Sequence, residues 1–122
     1  MIKMKKLPNS EFEIMKAIWA KSPPVTVKDI SGELEHEWKA QTILTLLHRL
    51  VEKSFLDTEK NGKERSYTPI VAEHDYLEFE TEEFIGRFHN NSLTGLMNTL
   101  YDGKNMTEDD LDELKDWLKK KR

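Results

Sequence analysis

Between Lys39 and Glu52 the chain sets Gln41, Thr42, Thr45, His48 and Arg49 at spacings of three and four residues. On a helix turning about 100° per residue these side chains gather, with Glu52, on one face. An amide, two short hydroxyls, an imidazole and a guanidinium in succession are donors and acceptors suited to base edges and phosphates. Lys39 adds a positive charge where that helix would start. A second group, Lys60, Lys63 and Arg65, brackets Asn61-Gly62 and offers charge without a reading pattern, which suits a phosphate backbone. Each group also has a plainer interpretation. The helix could be an amphipathic core helix with a mixed polar surface, and the basic group a surface hairpin with a solvated tip.

Other chemistry is poorly represented. His36, His48, His74 and His89 fall on different segments without ligand spacing, and cysteine is absent, so neither a metal nor a disulfide is expected. No nucleophile elbow, phosphate-binding loop or zinc-protease motif occurs, and the acids at Glu82-Glu83 and Glu108 to Asp110 look like solvated helix faces and caps. Neither an enzyme nor a cofactor is expected.

With 122 residues the chain has room for one domain, or a small domain with an appendage. Charged residues make up 34% and apolar ones 37%, the balance of a soluble, helix-rich protein. No apolar run approaches the roughly 20 residues that span a bilayer, and MIKMKKLPNS lacks the apolar core of a leader, so a cytoplasmic location is expected. The net charge of −4 is unevenly distributed: residues 1–72 carry 12 Lys and Arg against 10 Asp and Glu, and residues 73–122 carry 7 against 13. The acid is thus segregated into the C-terminal part, away from both basic groups.

The elements that must position these groups follow from local signals. Ser10 and Glu13 form a capping-box pattern ahead of Phe12, Met15, Ile18 and Trp19, which predicts a first helix from Ser10 to Ala20. Pro23-Pro24 ends it, and Thr26 with Asp29 caps a short second helix, Val25 stapling onto Ile30 and Leu34 turned inward, ending near His36. The third helix, within Trp38 to Lys53, turns Ala40, Ile43, Leu46, Leu47, Leu50 and Val51 inward. Two helices joined by a brief turn, the second bearing the polar face, make a helix-turn-helix pattern.

After Lys53 the period changes to alternation, and Asn61-Gly62 marks a hairpin. A two-residue turn sets Leu56 against Tyr67, Thr58 against Arg65, Lys60 against Lys63, and the like-charged Glu59 against Glu64. A three-residue loop pairs Lys60 with Glu64 and Glu59 with Arg65 instead, and the register stays open. Helical periodicity then resumes in three segments. Leu77, Phe84, Ile85 and Phe88 lie on the first, Leu93, Leu96, Met97 and Leu100 on the second, and Leu111, Leu114, Trp117 and Leu118 on a last helix capped by Thr107 and ended by Lys119 to Arg122. Three helices of this size cannot easily bury such stripes within one chain, so a second copy is expected to cover them. The alternative is that they pack back on the N-terminal region.

At QTILTLLHRL, with FEIMKAIW upstream and ERSYTP downstream, the sequence resembles the BlaI/MecI/CopY family of bacterial penicillinase and copper-operon repressors. The likeness spans almost the whole chain, including SLTGLMNTL and MTEDDLDEL. It implies a dimeric winged-helix repressor on an inverted repeat near a promoter, with Thr42, Thr45 and Arg49 as DNA contacts and the last three helices as the dimer. It also implies control of a β-lactam-resistance or related operon, and a membrane sensor or peptidase that inactivates the repressor. Three departures stand out. The cysteine-rich site of the copper-responsive branch is missing. Thr99-Leu100, the possible cleavage site, stands where the β-lactam branch has Asn-Phe. Leu44 occupies a recognition-helix position where the family often has Arg or Gln.

The sequence therefore predicts a mainly α chain with a small β-hairpin. A winged helix-turn-helix over residues 1–72 binds double-stranded DNA through Lys39, Gln41, Thr42, Thr45, His48, Arg49, Lys60, Lys63 and Arg65. A helical arm over residues 73–122 makes a homodimer through Phe84, Phe88, Leu93, Leu96, Met97, Leu100, Leu111, Leu114 and Leu118. A repressor of the same family answering an unrelated signal is one alternative, and the rival from another class is a protein-interaction module that uses the same fold without DNA. Apolar residues on the outward face of the third helix would favour it, and Leu44, at the edge of that face, leans that way.

Overall fold

The computed structural model describes residues 4–121, so Met1 to Lys3 and Arg122, the last of the basic residues expected to end the final helix, lie outside the described residues. Helix α1 (Asn9–Trp19) opens on Pro8 rather than on a Ser10 cap. The Pro8 carbonyl accepts from Phe12 N at 3.0 Å. Ser10 therefore sits inside the first turn, where its hydroxyl no longer faces the free amides, and the capping box read at Ser10 and Glu13 does not form. Ile14, Met15, Ala17 and Ile18 are buried, while Phe12 and Trp19 pack at the edge of the core.

Strand β1 (Val25–Thr26) and helix α2 (Val27–Glu33) follow. Thr26 and Asp29 make the predicted reciprocal cap: Asp29 N donates to Thr26 Oγ1 at 3.3 Å and Thr26 N donates to Asp29 Oδ2 at 3.0 Å. The bond from Thr26 N holds the Asp29 carboxyl below its usual range. Helix α2 stops at Glu33, because Leu34 is already extended, short of the expected end near His36. Helix α3 (Ala40–Glu52) buries Ile43, Leu46, Leu47 and Leu50, each stabilising the domain by roughly 1.5–3 kcal/mol. Val51 is half-buried, but Ala40, at the free first turn, is exposed rather than inward.

Strands β2 (Leu56–Asn61) and β3 (Glu64–Pro69) form the hairpin, and β1 pairs with the far edge of β3, giving an antiparallel sheet in the order β1-β3-β2. The third strand goes beyond the expected hairpin. Neither anticipated hairpin register occurs: Leu56 faces Pro69, Thr58 faces Tyr67, Lys60 faces Arg65 and Asn61 faces Glu64. The turn is Gly62-Lys63, with Gly62 at φ 65°. A positive φ at the first central position is where a two-residue hairpin of type II′ requires glycine. This register moves Glu59 opposite Ser66 and away from Glu64. It also keeps Leu56 and Tyr67, both buried, on one face, whereas regular pairing across a three-residue loop would put them on opposite faces.

Helices α4 (Glu73–His89), α5 (Leu93–Asp102) and α6 (Glu108–Lys121) complete the chain. The protein divides into two compact units, one ending at Glu80 and one from Thr81 onward. The first unit runs past Ala72 because the start of α4 belongs to its core. Tyr76 is fully buried and touches the rings of Phe12, Trp19 and Phe55 at centroid distances of 5.8, 6.0 and 5.5 Å. Its hydroxyl accepts from Leu7 N at 2.8 Å, and burial pushes its pKa well above the ordinary tyrosine value. Trp19 Nε1 donates to the Val71 carbonyl at 3.0 Å, tying the same stretch to α1. Leu77, on the apolar side read from the sequence, is exposed, since the inward face of α4 here is set by Tyr76 and Phe79.

In the second unit, Ser92 caps α5 by accepting from Gly95 N at 2.9 Å, and Thr107 caps α6 as expected, through a reciprocal pair with Asp110 at 3.1 and 2.9 Å. Among its described residues no side chain is buried. Among the described residues of the whole chain, no helix is long and apolar enough to cross a membrane.

Candidate nucleic-acid interface

The outward face of α3 is as the periodicity predicts: Gln41, Thr42, Thr45, His48 and Arg49 are all exposed, as is Lys39 just before the first turn. The positive end of the helix dipole lies beside Lys39, so this end of α3 is attractive to phosphate. Two of the reading groups are partly committed to their own chain. Thr45 Oγ1 donates to the Gln41 carbonyl at 3.0 Å, leaving its lone pairs and methyl group for a partner. His48 Nε2 lies 2.8 Å from Glu52 Oε1 one turn on, which keeps that carboxylate occupied on a face otherwise free of acid.

The wing gives the second half of the surface. Because opposite residues share a face, Thr58 with Tyr67 and Lys60 with Arg65 lie on one side of the β2–β3 ladder, while Asp57, Glu59 and Glu64 lie on the other. The acid and base of the hairpin are thus sorted by the pleat. Setting Lys60 directly against Arg65 is unfavourable in isolation and is relieved by a polyanion. Lys63, in the turn, is exposed beside them. Helix and wing meet in one groove lined by Leu44, His48 and Val51 from α3 and Thr58, Arg65 and Tyr67 from the hairpin. His48 of the first residue group and Arg65 of the second, separate in the sequence, are therefore brought to one groove.

A further basic site was missed. Lys5 shares a depression with Arg49, Glu52 and Lys53 at the far end of α3. The lysines of MIKMKK were visible in the sequence, but nothing local brings them to α3. Lys53 is drawn there by Glu11, an acid of α1 that is 2% exposed and accepts a hydrogen bond from Lys53 Nζ. Among the described residues, no group of three or more His, Asp or Glu could hold a metal ion.

With this geometry in view, the comparison with known proteins is specific. The model of a family described as penicillinase repressor matches residues 7–120. This chain belongs to the penicillinase repressor family. It is similar to the penicillinase repressor of Bacillus licheniformis, 33% identical over 91% of this chain and 90% of that one. It is also similar to the methicillin resistance regulatory protein MecI of Staphylococcus aureus, 28% identical over 94% of both chains. Two solution structures match 62% of this chain and 94% of theirs at 36% identity. One is the DNA-binding domain of the repressor BlaI, TM-score 0.53, and the other is monomeric Bacillus licheniformis BlaI in complex with the blaP half-operator, TM-score 0.51. The penicillinase repressor family is one of repressors rather than enzymes.

The family match runs through the second unit as well, where the structure shows what the stripes do in a single chain. Phe84, Phe88, Leu93 and Leu118 are 47, 59, 64 and 47% exposed, and Leu96, Met97, Leu100, Leu111 and Leu114 are half-buried. Phe84 and Phe88 lie 5.1 Å apart between centroids, with Arg87 over the Phe88 ring. Thr99 and Leu100 fall in the last turn of α5, their carbonyls accepting from Gly103 N at 3.1 Å and Asn105 N at 2.9 Å.

Proposed function

We propose that this protein is a transcriptional repressor that binds a palindromic operator as a homodimer, one α3 entering the major groove of each half-site and each wing gripping the flanking backbone. The observation that carries this reading is the groove shared by the exposed face of α3 and the basic side of the hairpin, since bases are read by the first and phosphates held by the second. The complex of the related BlaI with a half-operator supports it. The unburied stripes of the second unit support the dimer: apolar side chains left this exposed on three successive helices are covered at low cost by an identical surface. The relatives named for penicillinase and methicillin resistance support control of a β-lactam-resistance or related operon. Release from DNA then follows from loss of the dimer, either through a sensor or through a peptidase acting near Thr99-Leu100. A cut there requires the last turn of α5 to open first, because both carbonyls are hydrogen-bonded.

The direct test is binding to an inverted-repeat duplex across a salt series. Affinity is expected to fall steeply, each neutralised phosphate contributing about −0.9 to the slope of log K against log salt. Replacing Lys60, Lys63 and Arg65 together with alanine should flatten the slope by roughly one unit for each phosphate no longer neutralised, while leaving sequence preference intact. An affinity indifferent to salt would overturn the reading.

Thr45→Ala separates reading from scaffold. It is expected to weaken specific binding by roughly 1–3 kcal/mol, the worth of one base contact, with little effect on melting. Leu50→Ala, in the buried face of the same helix, should instead destabilise the domain by roughly 2–5 kcal/mol. Thermal unfolding and operator titration of both variants check the assignment of the two faces.

A further inference from the structure

At the edge of the outward face of α3 stands a large side chain that can neither donate nor accept a hydrogen bond. Leu44 is 40% exposed, one helical turn after Gln41 and one before His48, and it lines the groove together with Val51 and the buried Tyr67. Part of the polar lining is already engaged within the chain. Thr58 Oγ1 donates to the Ser66 carbonyl at 3.1 Å and accepts from an Arg65 guanidinium nitrogen at 3.3 Å, and His48 is held by Glu52. Beside the remaining N–H donors of Arg65, the groove offers the apolar surface of Leu44 and Val51.

Resting on the reading that α3 enters a major groove, we propose that Leu44 is a specificity-determining residue that contacts the C5-methyl group of a thymine. That methyl is the bulkiest apolar group the major groove presents; elsewhere the base edges there are dominated by donors and acceptors. Seating Leu44 against guanine, cytosine or adenine strips water from a polar edge without replacing the lost hydrogen bond, so the same side chain that favours thymine also discriminates against the alternatives. Gln41, on the same side of the helix, brings an amide that matches the N6 and N7 edge of adenine, so the two together select an A·T-containing step. A relative with Arg or Gln at this place would read a polar edge there, so operator preference diverges between this chain and such relatives at that base pair.

The experiment is made on the DNA, which avoids disturbing the fold. Duplexes are first selected from a random library with the full-length protein, and each thymine of one half-site of the selected sequence is then replaced singly by deoxyuracil, which removes only the methyl group. One replacement is expected to weaken binding about fourfold, the equivalent of ~0.8 kcal/mol for one buried methyl. That penalty should vanish in Leu44→Ala while the responses at all other thymines are unchanged. Leu44→Gln, which keeps the side-chain length, serves the same purpose if the alanine variant does not fold. The assignment is overturned if no deoxyuracil duplex binds more weakly than its parent, or if the penalty persists in the Leu44 variant. A protein that enriches no duplex above bulk DNA overturns the DNA-binding reading itself, and the role of Leu44 with it.

Discussion

Leu96→Asp is expected to yield a folded protein that sediments as a monomer and binds an inverted repeat on the order of 10²–10⁴ more weakly than the parent chain. The magnitude follows from linkage: once one half-site is occupied, a tethered partner reaches the second at a high effective concentration, and that gain disappears with the tether. Leu96 lies with Leu93, Met97 and Leu100 along the face of α5, where the chain by itself buries none of them fully. An aspartate there puts an unpaired charge at the centre of the proposed interface, which disfavours association far more than it disturbs the monomer. The DNA-binding unit should keep its fold, because among the described residues every fully buried apolar side chain lies between Leu7 and Tyr76. Sedimentation velocity and titration of the full inverted repeat and of a single half-site make the comparison. Equal affinities of variant and parent for the inverted repeat would remove the α5 stripe from the mechanism.

The second large effect concerns where the first unit ends. A fragment closed after Ala72 is expected to be largely unfolded, and one closed after Glu80 to fold cooperatively. The difference is chiefly Tyr76, whose ring fills the space between Phe12, Trp19 and Phe55 and whose hydroxyl accepts the Leu7 amide. Losing a buried aromatic of this size costs roughly 3–5 kcal/mol, comparable with the whole stability of a small domain. Tyr76→Phe in the full chain isolates the hydrogen bond and should cost roughly 1–3 kcal/mol, since it leaves the Leu7 amide buried and unpaired. Circular dichroism melts of both fragments and of the variant test this. A cooperative melt of the shorter fragment near that of the longer would show that the start of α4 is dispensable.

Much of the candidate site was legible from local rules. The outward and inward faces of α3 follow from a 3.6-residue period, and Ile43, Leu46, Leu47 and Leu50 are buried as that period requires. The caps of α2 at Thr26 and of α6 at Thr107 join side chains three residues apart and are visible in the sequence, whereas the same spacing at Ser10 and Glu13 makes no cap because α1 opens on Pro8. Full-length resemblance, carried by the α3 motif and the Tyr-Thr-Pro of β3, likewise needed only the order of residues.

The tertiary structure decided whatever depends on segments distant along the chain. Strand β1 is two residues long and exists because β3 comes back beside it, a pairing that no local pattern announces. The hairpin register turned on which residue occupies the left-handed position and on keeping Leu56 and Tyr67 together against the core, so several pairings that look equivalent in the sequence differ in the folded protein. Glu11 reads as a solvated acid in the first turn of a helix until Lys53, 42 residues later, reaches it. Tyr76 reads as part of an acidic amphipathic helix until Leu7, 69 residues earlier, meets its hydroxyl. A side chain's neighbours within one turn are set by the sequence, whereas the burial of a charge, a phenol or a short strand is a property of the surfaces that close over it.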